Sequence, residues 1–285
     1  MGDRRGHGLA LTGDPRGGAG RGLGSFAAVT EILRELFSLK GRVAVVTGGN
    51  SGIGRAMAGA LAAAGAAVVV VGRDTATLTA TADAICAAGA RGAFVAADLS
   101  DRSALSGAAD QAAAPFGEPD ILVAAAGVNI RPPLTALTPQ DWDTTIAVNL
   151  TAPFLLGQRF GPSMAERGYG RIINVGSQQS IRAFGNSGAY GVSKAGVLAL
   201  TRSQAETWSK DGVCCNAIVP GFVHTRMTEP VFADPPRSAA LAARTMAGRN
   251  GNADDFRGAV VFLASPAAAY VTGQAIFVDG GFSAT

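Results

Sequence analysis

The chain is short of cysteine, of charge and of long apolar runs, and each shortage removes a class of protein. Among 285 residues only three are cysteines, Cys86, Cys214 and Cys215. Sequence neighbours such as Cys214 and Cys215 rarely bridge, and no CxxC pair or Cys/His cluster occurs, so neither a disulfide framework nor a bound metal is expected. Reduced thiols in a cytoplasmic protein are the matching expectation. Charged residues make up 16% of the chain, and the net charge is +3. That leaves little attraction for nucleic acid or an anionic membrane surface, although the positive residues gather near the N-terminus. No segment approaches the roughly 20 uninterrupted apolar residues of a membrane helix. The opening "MGDRRGHGLALTGDPRGGAGRGLGS" also lacks the apolar block of a secretory signal.

What the chain does have is apolar bulk, 48% of its residues, and 39 glycines. A sizeable core follows. Residues 1–37 read as a flexible Gly/Arg-rich extension ending in a short helix, whose Ile32, Leu33, Leu36 and Phe37 recur at helical spacing and are expected to pack on the main body. A single domain is expected over 38–285. Within it, "RVAVVTG", "AAVVVVG", "GAFVAAD", "PDILVAAAG", "RIINVGS", "VCCNAIVPG" and "QAIFVDGG" are apolar runs of strand length. Runs without polar alternation suit strands covered on both faces. Ala-rich helical segments separate them, with Gly65 and Gly89 where C-terminal caps belong. Repeated strand–helix–strand units predict a Rossmann-type, doubly wound parallel α/β sheet of about seven strands, with helices on both faces.

"VAVVTGGNSGIGRAMAGAL" passes directly from a strand into a helix, with Gly48, Gly52 and Gly54 in the turn. Glycine tolerates positive φ and lets a phosphate come close to the backbone. The helix N-terminus then offers free N–H groups and a positive dipole end, so a pyrophosphate is the expected occupant. The spacing is TGxxxGxG, only approximately the commoner GxGxxG fingerprint. The second strand ends in "VVGRD". A cation at Arg73 suits the 2′-phosphate of NADP(H), whereas a one-residue slip to Asp74 suits the ribose hydroxyls of NAD(H). NADP(H) is favoured, and NAD(H) stays open. Asp98 has two readings, a contact to the adenine edge or the N-cap of the next helix.

Taken in order, "TGGNSGIG" at 47–54, "AAAG" at 124–127, "VNL" at 148–150, "VGS" at 175–177, "YGVSK" at 190–194, "PGFVHT" at 220–225 and the closing "VDGG" resemble the short-chain dehydrogenase/reductase family over about Leu39 to Phe282. The resemblance implies a catalytic tetrad of Asn149, Ser177, Tyr190 and Lys194. It also implies a cofactor-binding set of Gly48, Asn50, Ser51, Gly52, Ile53, Gly54, Arg73, Asp98, Leu99, Ala125, Gly127, Tyr190, Lys194, Pro220, Gly221, Val223 and Thr225, with Thr225 at the nicotinamide carboxamide. The chemistry of the residue types agrees. Tyr190 and Lys194 lie one helical turn apart. A phenol of pKa near 10 is a poor base at neutral pH, and an adjacent ammonium is expected to lower it. Tyr190 can then exchange a proton with an alcohol while Ser177 holds the substrate oxygen. One departure stands out. The family usually shows Asn-Asn-Ala-Gly where this chain has Ala124-Ala125-Ala126-Gly127, so side chains that tie neighbouring strands are missing.

Substrate choice belongs to the loops beyond the strand ends, at 128–134, 178–188 and 224–248. Arg131, Arg182 and Arg226 offer charge for a carboxylate, and Gln178 and Gln179 offer amides for hydroxyls. The mixture suits a polyol or sugar acid, and the segments around "SLKGRVAVVTGG" and "GSQQS" look like those of gluconate 5-dehydrogenases and 2-deoxygluconate 3-dehydrogenases. Two alternatives stand beside this: a 3-oxoacyl-carrier-protein reductase, and a non-catalytic dinucleotide-binding sensor or scaffold. Family members assemble mostly as tetramers, so a homotetramer or dimer is expected here, with the long helices after Asn149 and Tyr190 pairing.

Overall fold

Valine and isoleucine dominate the strands because β-branched side chains suit a pleated, enclosed surface. In the computed structural model, which describes residues 26–284 with side chains from Val29 onward, seven strands form one parallel sheet. The stretch 1–25, read above as flexible, lies outside the described residues. The strands are β1 (Val43–Thr47), β2 (Ala67–Gly72), β3 (Gly92–Ala96), β4 (Ile121–Ala124), β5 (Gly170–Val175), β6 (Val213–Pro220) and β7 (Ala275–Val278). Their spatial order is β3-β2-β1-β4-β5-β6-β7. The order reverses between β1 and β4, and ligands of such sheets bind in the crevice outside the carboxyl ends at that point.

Ten helices flank the sheet among the described residues: α1 (Phe26–Phe37), α2 (Gly52–Ala63), α3 (Thr75–Ala87), α4 (Arg102–Ala113), α5 (Pro139–Ile146), α6 (Ala152–Glu166), α7 (Gly188–Trp208), α8 (Glu229–Phe232), α9 (Pro235–Ala243) and α10 (Arg257–Ala264). Leu61, Leu78 and Val260 of α2, α3 and α10 pack on Val46, Val68 and Ile173 on one face. Leu105 and Phe160 of α4 and α6 pack on Val45, Leu122 and Ile172 on the other. The expected coverage of both strand faces holds for β1, β2, β4, β5 and β6 and fails at the sheet edges, where Phe94 of β3 and Phe277 of β7 are exposed. An edge strand has a neighbour on one side only, so its outward residues meet solvent. The N-terminal helix forms where expected, but Ile32, Leu33, Leu36 and Phe37 do not pack into the body; all four are exposed. α1 meets the turn Pro266–Ala268, too small a platform to cover its apolar stripe.

The missing asparagines have a readable consequence. Thr47, Ala124 and Asn174 are register partners on β1, β4 and β5, so their side chains share one face. Thr47 takes over part of the tie, its Oγ1 accepting from the Ala126 N–H at 3.1 Å. Asn174 donates to Thr201 Oγ1 and Gln204 Oε1, yet its own Oδ1 is buried with no partner. A buried orphan acceptor costs about 1–3 kcal/mol. Ala124→Asn places a donor beside it, and the expected gain is about 1 kcal/mol, or roughly 2–4 °C in Tm for a domain of this size. A melting curve with unchanged or lowered Tm refutes that assignment.

Candidate active site

The glycine turn owes its shape to close backbone approach. Gly48 and Gly52 have φ of +65° and +48°. A Cβ on Gly48 would stand 2.9 Å from the Ala126 backbone, and one on Gly54 would stand 2.2 Å from the Gly48 carbonyl oxygen. No other residue type fits there. α2 begins at Gly52, and its N-cap Ser51 makes no side-chain cap bond. The first N–H groups therefore keep their pull on an anion. Asn50 is fixed by donating to Thr77 Oγ1 at 2.8 Å. These residues open onto a cleft of about 340 Å³ along the carboxyl ends of the strands. Every residue of the expected cofactor-binding set lines that cleft, as do Ser177, Tyr190 and Lys194. A cradle that a single added methyl would fill, facing an uncapped helix start, fits a dinucleotide pyrophosphate.

At the β2 end the geometry separates the two acidic residues. Asp74 is the N-cap of α3, its Oδ1 accepting from Thr77 N at 3.0 Å. Bonds from the Thr77 N–H and hydroxyl hold its carboxyl below the usual range. Asp74 is thus committed to the helix, and Arg73 stands at the cleft wall. Asp98 is not the cap of the next helix; Asp101 is. Asp98 instead accepts from Ser100 N and Oγ, with Arg73 Nη1 3.9 Å from its other oxygen.

The tetrad residues meet at the end of β5. Ser177 caps the 3-10 turn Gln178–Ser180, its Oγ accepting from Gln179 N at 3.2 Å, and its hydroxyl acts on the Tyr190 phenol in favour of the ionised form. Ser180 Oγ donates to the Lys194 carbonyl at 2.7 Å, which seats α7 against that turn. Lys194 Nζ donates to the Val175 carbonyl at 2.7 Å. Asn149 alone of the tetrad does not line the cleft. It sits in a π-helical turn, Ala147–Thr151, between α5 and α6. Such one-turn bulges re-aim side chains. Asn149 pairs with both backbone groups of Val128, accepting from N at 2.8 Å and donating to O at 3.0 Å, and also donates to Ser193 Oγ at 3.0 Å. It clamps the loop after β4 to α7. A Cβ on Gly127 would come 3.4 Å from Asn149 Oδ1 and 3.7 Å from Lys194 Nζ.

The electrostatics differ from the expectation. Burial pushes the Tyr190 phenol up, and the opposing pulls come from Ser177 and Arg131, not from Lys194. The ammonium sits 5.9 Å from the phenol ring centroid and is spent on Val175. Burial also pushes Lys194 down to about 8.

The three substrate-loop arginines are dispersed. Arg131, half-buried, reaches Asn186 O at 3.0 Å and Gly185 O, and its charge bears on Tyr190. Arg182 turns away to the Ser283 carbonyl at 2.7 Å. Arg226 lines the cleft near Asp74, at the cofactor end. Gln179 is occupied by Ser187 Oγ at 2.9 Å, whereas Gln178 Oε1 is buried without a partner. Phe184, Phe222 and Phe282 form a ring cluster with centroids 5.6–5.9 Å apart, joining the 178–188 loop, the loop after β6 and the C-terminal turn Phe282–Ala284. Sequence reading missed Thr47 and Ser193. Ser193 offered a signal: three residues after Tyr190, its hydroxyl also meets the Tyr190 carbonyl at 2.8 Å.

A doubly wound sheet with this cleft, lined by Ser177, Tyr190 and Lys194, belongs to nucleotide-dependent oxidoreductases of CH–OH groups. The family model described as Enoyl-(Acyl carrier protein) reductase matches residues 48–283. D-Threitol dehydrogenase of Mycolicibacterium smegmatis (strain ATCC 700084 / mc(2)155) is 41% identical over 247 residues, 87% of this chain and 95% of that protein. The 3-oxoacyl-(acyl-carrier-protein) reductase of Escherichia coli (strain K12) is 36% identical over 244 residues, 86% of this chain and 98% of that one. The crystal structure of a gluconate 5-dehydrogenase from Burkholderia cenocepacia J2315 in complex with NADP and tartrate superposes with a TM-score of 0.85 at 36% identity, covering 89% of this chain and 99% of that chain. The chain belongs to the short-chain dehydrogenase/reductase family. Among the described residues no group of His, Cys, Asp and Glu could hold a metal, and no helix is long and apolar enough to cross a membrane.

The displaced titration of Lys194 gives a pH test. The native state releases this proton near pH 8, the unfolded chain only near 10.5. Between those values the unfolded state binds more protons, so stability rises with pH. Relative to Lys194→Met, the wild-type chain is expected to gain about 3 kcal/mol across that window and to run parallel below it. Urea unfolding at stepped pH reads the difference, and a gap that stays constant rules out a charge penalty at this position.

Proposed function

We propose that the protein interconverts a secondary alcohol and a ketone on a polyol or sugar acid, using NADP(H) in preference to NAD(H). The observation that carries the reading is the convergence of Ser177, Tyr190 and Lys194 on one glycine-lined cleft. Bound NADP(H) supplies or accepts the hydride. Tyr190 exchanges the proton at the substrate oxygen, and Ser177 holds that oxygen as charge develops on it. Lys194 holds the cofactor ribose and adds positive charge to the floor of the site. Asn149 acts by fixing the Val128 backbone and Ser193. NADP(H) is supported by Arg73 at the cleft wall, by the commitment of Asp74 to its helix, and by the NADP in the Burkholderia cenocepacia complex. The filled tetrad positions argue against a non-catalytic sensor. The domain spans 38–285. A homotetramer or dimer is supported by the exposed Trp142, Phe154 and Val192 on α5, α6 and α7. A cytoplasmic setting is supported by the free cysteines.

Tyr190→Phe is expected to lower kcat by about 10²–10⁴ while the Kd for NADPH stays within about twofold. Full turnover by that variant removes Tyr190 from the proton path.

For the substrate, Arg131 is the deciding residue, because its charge acts on Tyr190 and can draw a substrate carboxylate toward the reacting end. The Escherichia coli relative favours an acyl-thioester ketone as the competing reading. Turnover is to be compared across a sugar acid, a neutral polyol and a 3-oxoacyl thioester. Arg131→Ala is expected to raise KM for the sugar acid about tenfold and to leave the polyol nearly unchanged. Activity on the thioester alone overturns the polyol and sugar-acid reading.

A further inference from the structure

The loop after β6 lies directly on the glycine turn. A Cβ at Gly52 would stand 3.1 Å from Thr225 Cγ2. Thr225 is also the N-cap of a 3-10 turn, Arg226–Thr228, whose Thr228 Oγ1 accepts from the Thr225 N–H at 3.0 Å and donates to the Val223 carbonyl. The backbone under Arg226 is therefore fixed, and its exposed side chain lines the cleft together with Arg73 and Asp74. That places a cation from the far side of the cofactor cleft opposite the end of β2.

The local charge balance shows what that cation does. Four charged side chains line this end of the cleft: Arg73, Arg226, Asp74 and Asp98. Asp74 is committed as an acceptor at the α3 N-terminus, and Arg73 is shared with Asp98 at 3.9 Å. With Arg226 the four sum to zero. Without it the sum is −1, and a phosphate ester brought to Arg73 meets net repulsion. Arg73 alone is thus too weak a receptor for a dianion.

We infer that Arg226 is a second receptor for the 2′-phosphate of the cofactor, so that the substrate-side loop after β6 reads NADP(H) directly. This rests on the proposed NADP(H) preference and extends it to a residue on a different element. The same contact ties occupancy of the adenosine end to placement of Thr225 over the glycine turn.

The test is equilibrium titration of the full chain with NADPH and with NADH, read by nucleotide fluorescence without substrate, for wild type, Arg73→Ala, Arg226→Ala and Arg226→Lys. Arg226→Ala is expected to weaken NADPH about fivefold, the upper end for a solvent-exposed ion pair, with NADH unchanged and the difference fading at high salt. Arg226→Lys is expected to keep most of the NADPH affinity. Equal weakening of both nucleotides assigns Arg226 to the pyrophosphate and overturns the inference, as does no weakening at all. A wild-type chain that binds both nucleotides alike overturns the NADP(H) preference itself. Loss of discrimination in Arg73→Ala but not in Arg226→Ala leaves that preference standing and removes Arg226 alone.

Discussion

Lys194 carries its side chain into a buried position on a single hydrogen bond, to the carbonyl of Val175. Much of the catalytic end is arranged around that insertion. The ammonium reaches the carbonyl where Ser180 seats α7 at the end of β5. Asn149 then closes the space from the opposite side through Val128 and Ser193. An unpaired buried cation is costly, so the chain keeps it for what it does in the loaded site and not for stability. The same burial explains why the phenol rests high in the ligand-free protein. The charge that lowers it must arrive with the bound cofactor or from Arg131, since Lys194 is turned to the backbone.

Much of the architecture was legible because it follows from short-range rules. Valine runs, Ala-rich helical segments and the glycines between them dictate a parallel sheet, and the reversal of strand order dictates where the crevice lies. The glycine turn was legible for the same reason: a Cβ at Gly48 or Gly54 collides with backbone, which is a local fact. What could not be read was direction. Arg131, Arg182 and Arg226 are alike as letters, yet one binds the carbonyls of Gly185 and Asn186, one reaches that of Ser283 and one lines the cofactor cleft. The pairing of Asn149 with a loop 21 residues earlier is likewise a tertiary event. So is the failure of the α1 stripe to find a surface, since periodicity reports that a face exists and not what covers it.

The replaced asparagines show how a sheet tolerates a lost tie. Thr47 reaches the Ala126 N–H from the neighbouring strand, and backbone contact at Gly48 keeps the loop after β4 in place. The loss is confined to one acceptor on Asn174, several residues from the reacting atoms. Rigidity of the site therefore depends on main-chain contact more than on the side-chain ladder.

Phe282 is buried between Phe184 and Phe222, and Ser283 receives Arg182 one residue later. The turn Phe282–Ala284 thus clips the 178–188 loop to the loop after β6. Truncating the Phe282 ring uncovers two aromatic neighbours at once and loosens both loops together.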